Sequence, residues 1–170
     1  MRGIKAIALD VDGVLTDGAF WWGPDGQEWK RFSFADIMGV SLARKAGLIV
    51  GLISGEDSPL VDRYAAKMGI ADVAKNCKQK ADALRTFAAR WQLDLSQICF
   101  MGDDVNDLSA LQIAGLAAAP ANARPVVLQQ AGFVSAFRGG DGAVRELVDA
   151  ILSAKSSPEQ GLGQVNLNHD

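Results

Sequence analysis

Short apolar runs at Ile4 to Leu9, Ile49 to Ile53, Ile98 to Met101, Leu116 to Ala119 and Phe133 to Val134 alternate with stretches of helical period, and this alternation restricts the fold more than any other feature. Strands separated by helices line up in parallel, because each crossover helix has to pack back onto the sheet. Leu60, Val61, Tyr64, Ala65 and Met68 mark one helix; Leu84, Phe87, Ala88 and Trp91 a second; Val144, Leu147, Val148, Ile151 and Leu152 a third. Pro125 suits the first turn of a further helix through Leu128, and Asp104 is placed to cap another running to Ala114. The expectation is an α/β chain with a single Rossmann-like parallel sheet flanked by helices, all in one domain over residues 1–154. Residues 155–170, with Pro158, Gly161, Gly163 and several Asn and Gln, read as a flexible C-terminal tail.

One segment breaks the alternation. Between Gly18 and Phe34, aromatic residues flank a Gly23-Pro24-Asp25-Gly26 turn, which predicts a β-hairpin flap over 18–34 inserted after the first strand. Trp21, Trp22, Trp29, Phe32 and Phe34 exceed what a lone hairpin can hide, so the domain body or another subunit is expected to cover part of them.

Charge and residue usage remove several classes of function. With 17 Lys+Arg against 20 Asp+Glu and no basic run, nucleic acid is not an expected partner. The apolar stretch after Lys5 is interrupted by Asp10 and Asp12, and no stretch reaches the ~20 residues that span a bilayer, so neither a signal peptide nor a membrane anchor is expected. Cys77 and Cys99 lack CxxC spacing, which fits a reduced, cytoplasmic setting. His169 is the single histidine and lies near the end, so catalysis has to rest on carboxylates, lysine and hydroxyls.

The chemistry concentrates at strand ends. Asp10-Val11-Asp12-Gly13-Val14-Leu15-Thr16-Asp17 follows the first strand, where ligands of an open parallel sheet bind, and alternation points Asp10 and Asp12 the same way. Taken singly, a DxD is more often a solvated acidic turn. A second acidic cluster, Gly102-Asp103-Asp104-Val105-Asn106-Asp107, follows the strand Ile98 to Met101, and together the clusters can build an oxygen-rich site for Mg²⁺. Ser54-Gly55 ends another strand and offers a hydroxyl and a backbone N–H to a phosphate oxygen. Lys80 opens the Leu84/Phe87 helix, where it can offset the charge of a nucleophile and a phosphate; as an isolated residue it would be an ordinary solvated lysine.

In order and spacing, DxDGVxTD, Ser-Gly, Lys and GDDxxD resemble the four motifs of haloacid dehalogenase-superfamily phosphatases, over Ile4 to about Ala154. The resemblance implies that Asp10 is the nucleophile and a metal ligand. It makes Asp12 the general acid/base, which also lends a backbone carbonyl to Mg²⁺, and Asp103 the second carboxylate ligand. Ser54 and Gly55 would bind the phosphoryl group, Lys80 would steady it, and Asp104 and Asp107 would support the metal. The gaps between motifs are too short for a separate cap domain. That layout is similar to the capless 3-deoxy-D-manno-octulosonate 8-phosphate phosphatases and their nine-carbon ulosonate 9-phosphate relatives, which form tetramers through the hairpin. The likeness extends to Asp36-x-x-Gly39 and to the run from Arg138 to Glu146. It implies a sugar-acid phosphate substrate met by Glu56, Lys67, Arg138, Gly139 and Gly140, with Glu56 and Lys67 leaning towards nine carbons. Two other readings share parts of the pattern: a phospho-acceptor receiver module, which places its acidic pair after the first strand and its acceptor Asp on a later one, and a catalytically silent assembly protein built on the hairpin.

Overall fold

The computed structural model describes residues 1–156. Strand β1 (Ala6–Leu9) is followed by a hairpin of β2 (Trp21–Trp22) and β3 (Glu28–Trp29), helix α1 (Phe34–Lys45), β4 (Ile49–Ile53), α2 (Pro59–Met68), β5 (Asp72–Ala74) and α3 (Lys80–Arg90). Then come β6 (Ile98–Met101), α4 (Leu108–Leu111), β7 (Leu116–Ala119), α5 (Pro125–Leu128), β8 (Phe133–Val134) and α6 (Ala143–Ser156), with short 3₁₀ turns before β6 and before α4. The main sheet is wholly parallel in the order β5-β4-β1-β6-β7-β8. This is the expected single Rossmann-like α/β sheet, with a hairpin after the first strand and no cap domain among the described residues.

Alternation along the central strands sorts the core into two layers. Ile7 and Leu9 of β1, with Cys99 and Met101 of β6, face α1, α2 and α6, where Val40, Val61, Leu147 and Ile151 meet them. Ala6 and Ala8, with Ile98 and Phe100, face α3, α4 and α5 through Leu84, Phe87, Leu111 and Val127. The strand order reverses at β1, which pairs Leu9 with Leu52 of β4 on one side and with Met101 of β6 on the other. The loops that leave β1, β4 and β6 therefore start level with one another, and the motifs they carry converge.

Several expectations change. Strand β1 begins at Ala6. Strand β5 adds to the expected strands; it shows no long apolar run because it is a short edge strand with Asp72 in it, and that carboxylate is buried against Arg90 (3.0 Å) and Trp91 Nε1 (2.9 Å). The helix expected from Asp104 to Ala114 is a 3₁₀ turn, Val105–Asp107, followed by the short α4. Phe34 is not part of the hairpin: Ser33 caps α1 by accepting from the Ala35 N–H (3.1 Å), so Phe34 starts that helix. Helix α6 continues through Lys155 and Ser156, and the rest of the expected tail, 157–170, lies outside the described residues.

Candidate active site

The loop after β1 is built around Thr16, whose buried Oγ1 accepts from the N–H groups of Gly13 (3.3 Å) and Gly18 (3.2 Å). Gly13 adopts φ +93°, and a Cβ there would overlap the Asp103 carboxylate, so glycine is what lets Asp103 reach across the loop. The Asp10 N–H continues the β1–β6 ladder to Met101 O (3.0 Å). Its carboxylate enters the α3 side of the sheet, 4% exposed.

Lys80, the first residue of α3, is 1% exposed and bridges two carboxylates: Nζ lies 2.7 Å from Asp10 Oδ1 and 2.5 Å from Asp107 Oδ1. Asp107 is held in turn, because its Oδ2 accepts from the N–H groups of Asp103 (2.9 Å) and Asp104 (3.2 Å). Carboxylate oxygens of Asp10, Asp103 and Asp107 lie within 4.8 Å of one another. One ammonium among them leaves surplus negative charge. Burial, and then Asp107, push the Asp10 carboxyl up to about 8 although Lys80 pulls it down. Burial, Asp107 and Asp104 push Asp103 up to about 7. Lys80 is held above its usual value: burial works against the ammonium, and Asp10 and Asp107 outweigh it. With Asp107 committed to Lys80 and the loop, Asp10 and Asp103 are the pair left for a hard divalent cation, whose charge would remove the strain.

Ser54 is fully buried at the end of β4, its Oγ accepting from the Glu56 N–H (3.1 Å). Asp10, Asp12, Gly55, Glu56, Asp103 and Arg138 line an open cavity of about 540 Å³. A second cavity of about 730 Å³, between the hairpin and the start of α2, shares Asp12, Gly18 and Glu56 with it and adds Trp22, Trp29 and Arg63. Asp12 and Glu56 thus stand at the junction of a polar hollow and an aromatic one. The Asp104 carboxylate accepts from the Val105 N–H (2.7 Å) and from Arg124 (3.2 Å), which shapes the loop, and it is not one of the three whose oxygens lie within 4.8 Å of one another.

Three residues expected to meet substrate have other neighbours within this chain. The Gly139 N–H donates to Asn122 Oδ1 (2.6 Å) and the Gly140 N–H to Val14 O (3.0 Å), so neither is free for a ligand. A Cβ at Gly139 would overlap the Gly13 carbonyl, which makes this glycine a seat for the Asp10–Asp17 loop. Lys67, in the last turn of α2, lines neither of these two cavities and borders grooves beside Tyr64 and Arg44. Two more residues, outside the sequence motifs, shape the site. Asn122 also donates to Gly13 O (3.2 Å) and was traceable from its place after the carboxyl end of β7. Lys30, whose Nζ lies 2.7 Å from Asp12 Oδ1, carries no motif signal and is brought in only by the hairpin fold. The two stretches outside the four motifs to which the likeness extends meet each other: Asp36 accepts from the N–H groups of Gly142 and Arg145 (both 3.1 Å), and Gly39 lets α1 approach the Arg145 backbone.

A model of the haloacid dehalogenase-like hydrolase family matches residues 49–147, more than half of the chain. The 3-deoxy-D-manno-octulosonate 8-phosphate phosphatase of Escherichia coli K12 is 32% identical over 163 residues, covering 96% of this chain and 87% of the relative. The chain belongs to the haloacid dehalogenase-like hydrolases. Within the family it groups with phosphatases. The structure of the Moraxella catarrhalis 3-deoxy-D-manno-octulosonate 8-phosphate phosphatase, in complex with magnesium, phosphate and the sugar acid, superposes with a TM-score of 0.88 at 33% identity, over 91% of this chain and 88% of that one. A cobalt-bound Haemophilus influenzae phosphatase gives 0.88 at 34% identity, over 91% and 90%. Membership of this hydrolase family sets aside the receiver module and the silent assembly protein.

Proposed function

We propose that this hydrolase removes the terminal phosphate of a 2-keto-3-deoxy sugar acid, with Mg²⁺ as cofactor and Asp10 as nucleophile. The observation that carries the reading is the Asp10 carboxylate, fixed by Lys80 at 2.7 Å, beside Asp103 on the floor of an open cleft. Mg²⁺ held by Asp10 and Asp103 would lessen the repulsion between the nucleophile and a phosphate dianion. An Asp10 oxygen attacks phosphorus, the sugar alkoxide leaves with a proton from Asp12, and water then releases phosphate from the aspartyl-phosphate with Asp12 as base. Ser54 and Gly55 bind phosphoryl oxygens, and Lys80 offsets their charge. Glu56 and Arg138 face the sugar acid from the cavity walls.

Relatives named for the eight-carbon acid support that substrate. A nine-carbon ulosonate 9-phosphate is the second reading, favoured by the carboxylate of Glu56 where the two cavities join, which repels an acid group placed there and suits a longer hydroxylated chain. Initial rates with both phosphates decide between them. Chelator should abolish turnover, Mg²⁺ restore it, and Ca²⁺, with longer and looser coordination, restore it poorly; metal-independent turnover would remove the mechanism. The same reading includes a cytoplasmic location and a homotetramer joined through the hairpin. No helix among the described residues is long and apolar enough to cross a membrane.

A further inference from the structure

Lysines divide the aspartates of the first motif between them. Lys80 takes Asp10, while Lys30 reaches Asp12 from the far arm of the hairpin, with its side chain only 3% exposed and Nζ 2.7 Å from Asp12 Oδ1. Glu28, two residues earlier and therefore on the same side of the arm, lies 3.6 Å from the Lys30 ammonium, and its Oε1 accepts from the Ser58 hydroxyl (3.2 Å), the cap of α2. A continuous chain, Ser58–Glu28–Lys30–Asp12, thus ties the rim of the phosphate-binding loop through the hairpin to the aspartate that serves the leaving group. Arg31 secures the base of the same arm to Asp17 (3.3 Å) and Asp141 (2.7 Å), so Lys30 is delivered from a fixed point.

We propose that Lys30 is a positioning residue for leaving-group departure, holding the Asp12 carboxylate in place and making that placement depend on the hairpin. An ammonium this far removed from water is tolerated because a carboxylate faces it, and the pair holds each member still. With one Asp12 oxygen engaged by Lys30, the other is free to face the ester oxygen of a substrate in the cleft. The proposal rests on the role given to Asp12 above, and it assigns the hairpin a task inside its own subunit, separate from assembly.

The test is Lys30→Met, assayed with 3-deoxy-D-manno-octulosonate 8-phosphate, whose alkoxide leaves poorly, and with p-nitrophenyl phosphate, whose leaving group needs little protonation. For the alkyl ester, kcat should fall from tenfold to the ~100-fold that an ångström of misplacement can cost, with KM little changed. The aryl ester should lose far less, and Lys30→Arg should recover most of the rate. In a double-mutant cycle, Lys30→Met/Asp12→Ala should be no slower than Asp12→Ala, because Lys30 acts through Asp12. Equal losses with both esters, or losses that multiply in the double variant, would overturn the proposal. If Lys30→Met melts early, Glu28→Gln keeps the ammonium and loosens the same chain, and it should show a smaller loss with the same bias towards the alkyl ester; an unbiased loss would count against positioning. Failure of the underlying reading looks different: Asp12→Ala would itself spare the alkyl ester, leaving Lys30 nothing to act through and overturning both.

Discussion

Lys80 is the residue on which the site's electrostatics turn, because a single ammonium of 1% exposure serves both Asp10 and Asp107. That arrangement puts the proposed nucleophile and the proposed metal ligand in one carboxylate, which burial and Asp107 hold well above its ordinary range. Asp10→Asn should lower kcat by about three orders of magnitude or more, as expected for loss of a covalent nucleophile; steady-state turnover of p-nitrophenyl phosphate checks this, and near wild-type rates would exclude Asp10 as nucleophile. The raised carboxyls also predict a pH dependence. Asp10 near 8 and Asp103 near 7 bind protons more tightly folded than unfolded, where carboxyls titrate at about 4. The folded state therefore holds more protons between those limits, and the metal-free protein should lose stability as pH rises from about 4 to about 8. Mg²⁺ needs the ionised carboxylates, so it should raise the melting temperature more at pH 8 than at pH 5; thermal melts at both pH values, with and without Mg²⁺, would show this.

Among the elements, the loop from Asp10 to Asp17 is shaped by parts of the chain that look unrelated to it. Thr16 closes it from within, Asn122 ties it to the end of β7, and Gly139 and Gly140 close over it from before α6. Since a Cβ at position 139 has no space against Gly13 O, Gly139→Ala should push the loop away from Asp103. The expected cost is about 1–3 kcal/mol of stability, the usual range for overpacking, together with weaker Mg²⁺ binding. Denaturant melts and Mg²⁺ titration measure the two effects, and a variant with unchanged metal affinity would show that the loop does not depend on this support.

In the molecule as a whole, the hairpin leaves a surface that one subunit does not cover. Phe32 stacks on Tyr64 with ring centroids 4.7 Å apart, but Trp21 and Trp22 stay 67% and 72% exposed, and Phe34 at the head of α1 83%. Wide, flat aromatics of this kind invite burial against a symmetry mate. Trp22→Glu should weaken the proposed tetramer and slow turnover of the sugar-acid phosphate more than that of p-nitrophenyl phosphate; light scattering of active wild-type protein as a monomer would refute the assembly. The parallel sheet, its strand ends and the acidic clusters at those ends were readable directly, because period and local chemistry are written in neighbouring residues. Asp10 and Asp103 stand out on that basis at the ends of strands, whereas Ser54 and Lys80 gain weight only from the resemblance of the four motifs taken together. Tertiary structure alone decided the fate of Gly139 and Gly140, whose N–H groups pair with residues far along the chain, the removal of Lys67 from its own cleft, and the arrival of Lys30 at Asp12. Those outcomes depend on where separate crossovers and a hairpin set their side chains down, and a register set by contacts distant in sequence leaves no periodic trace to read.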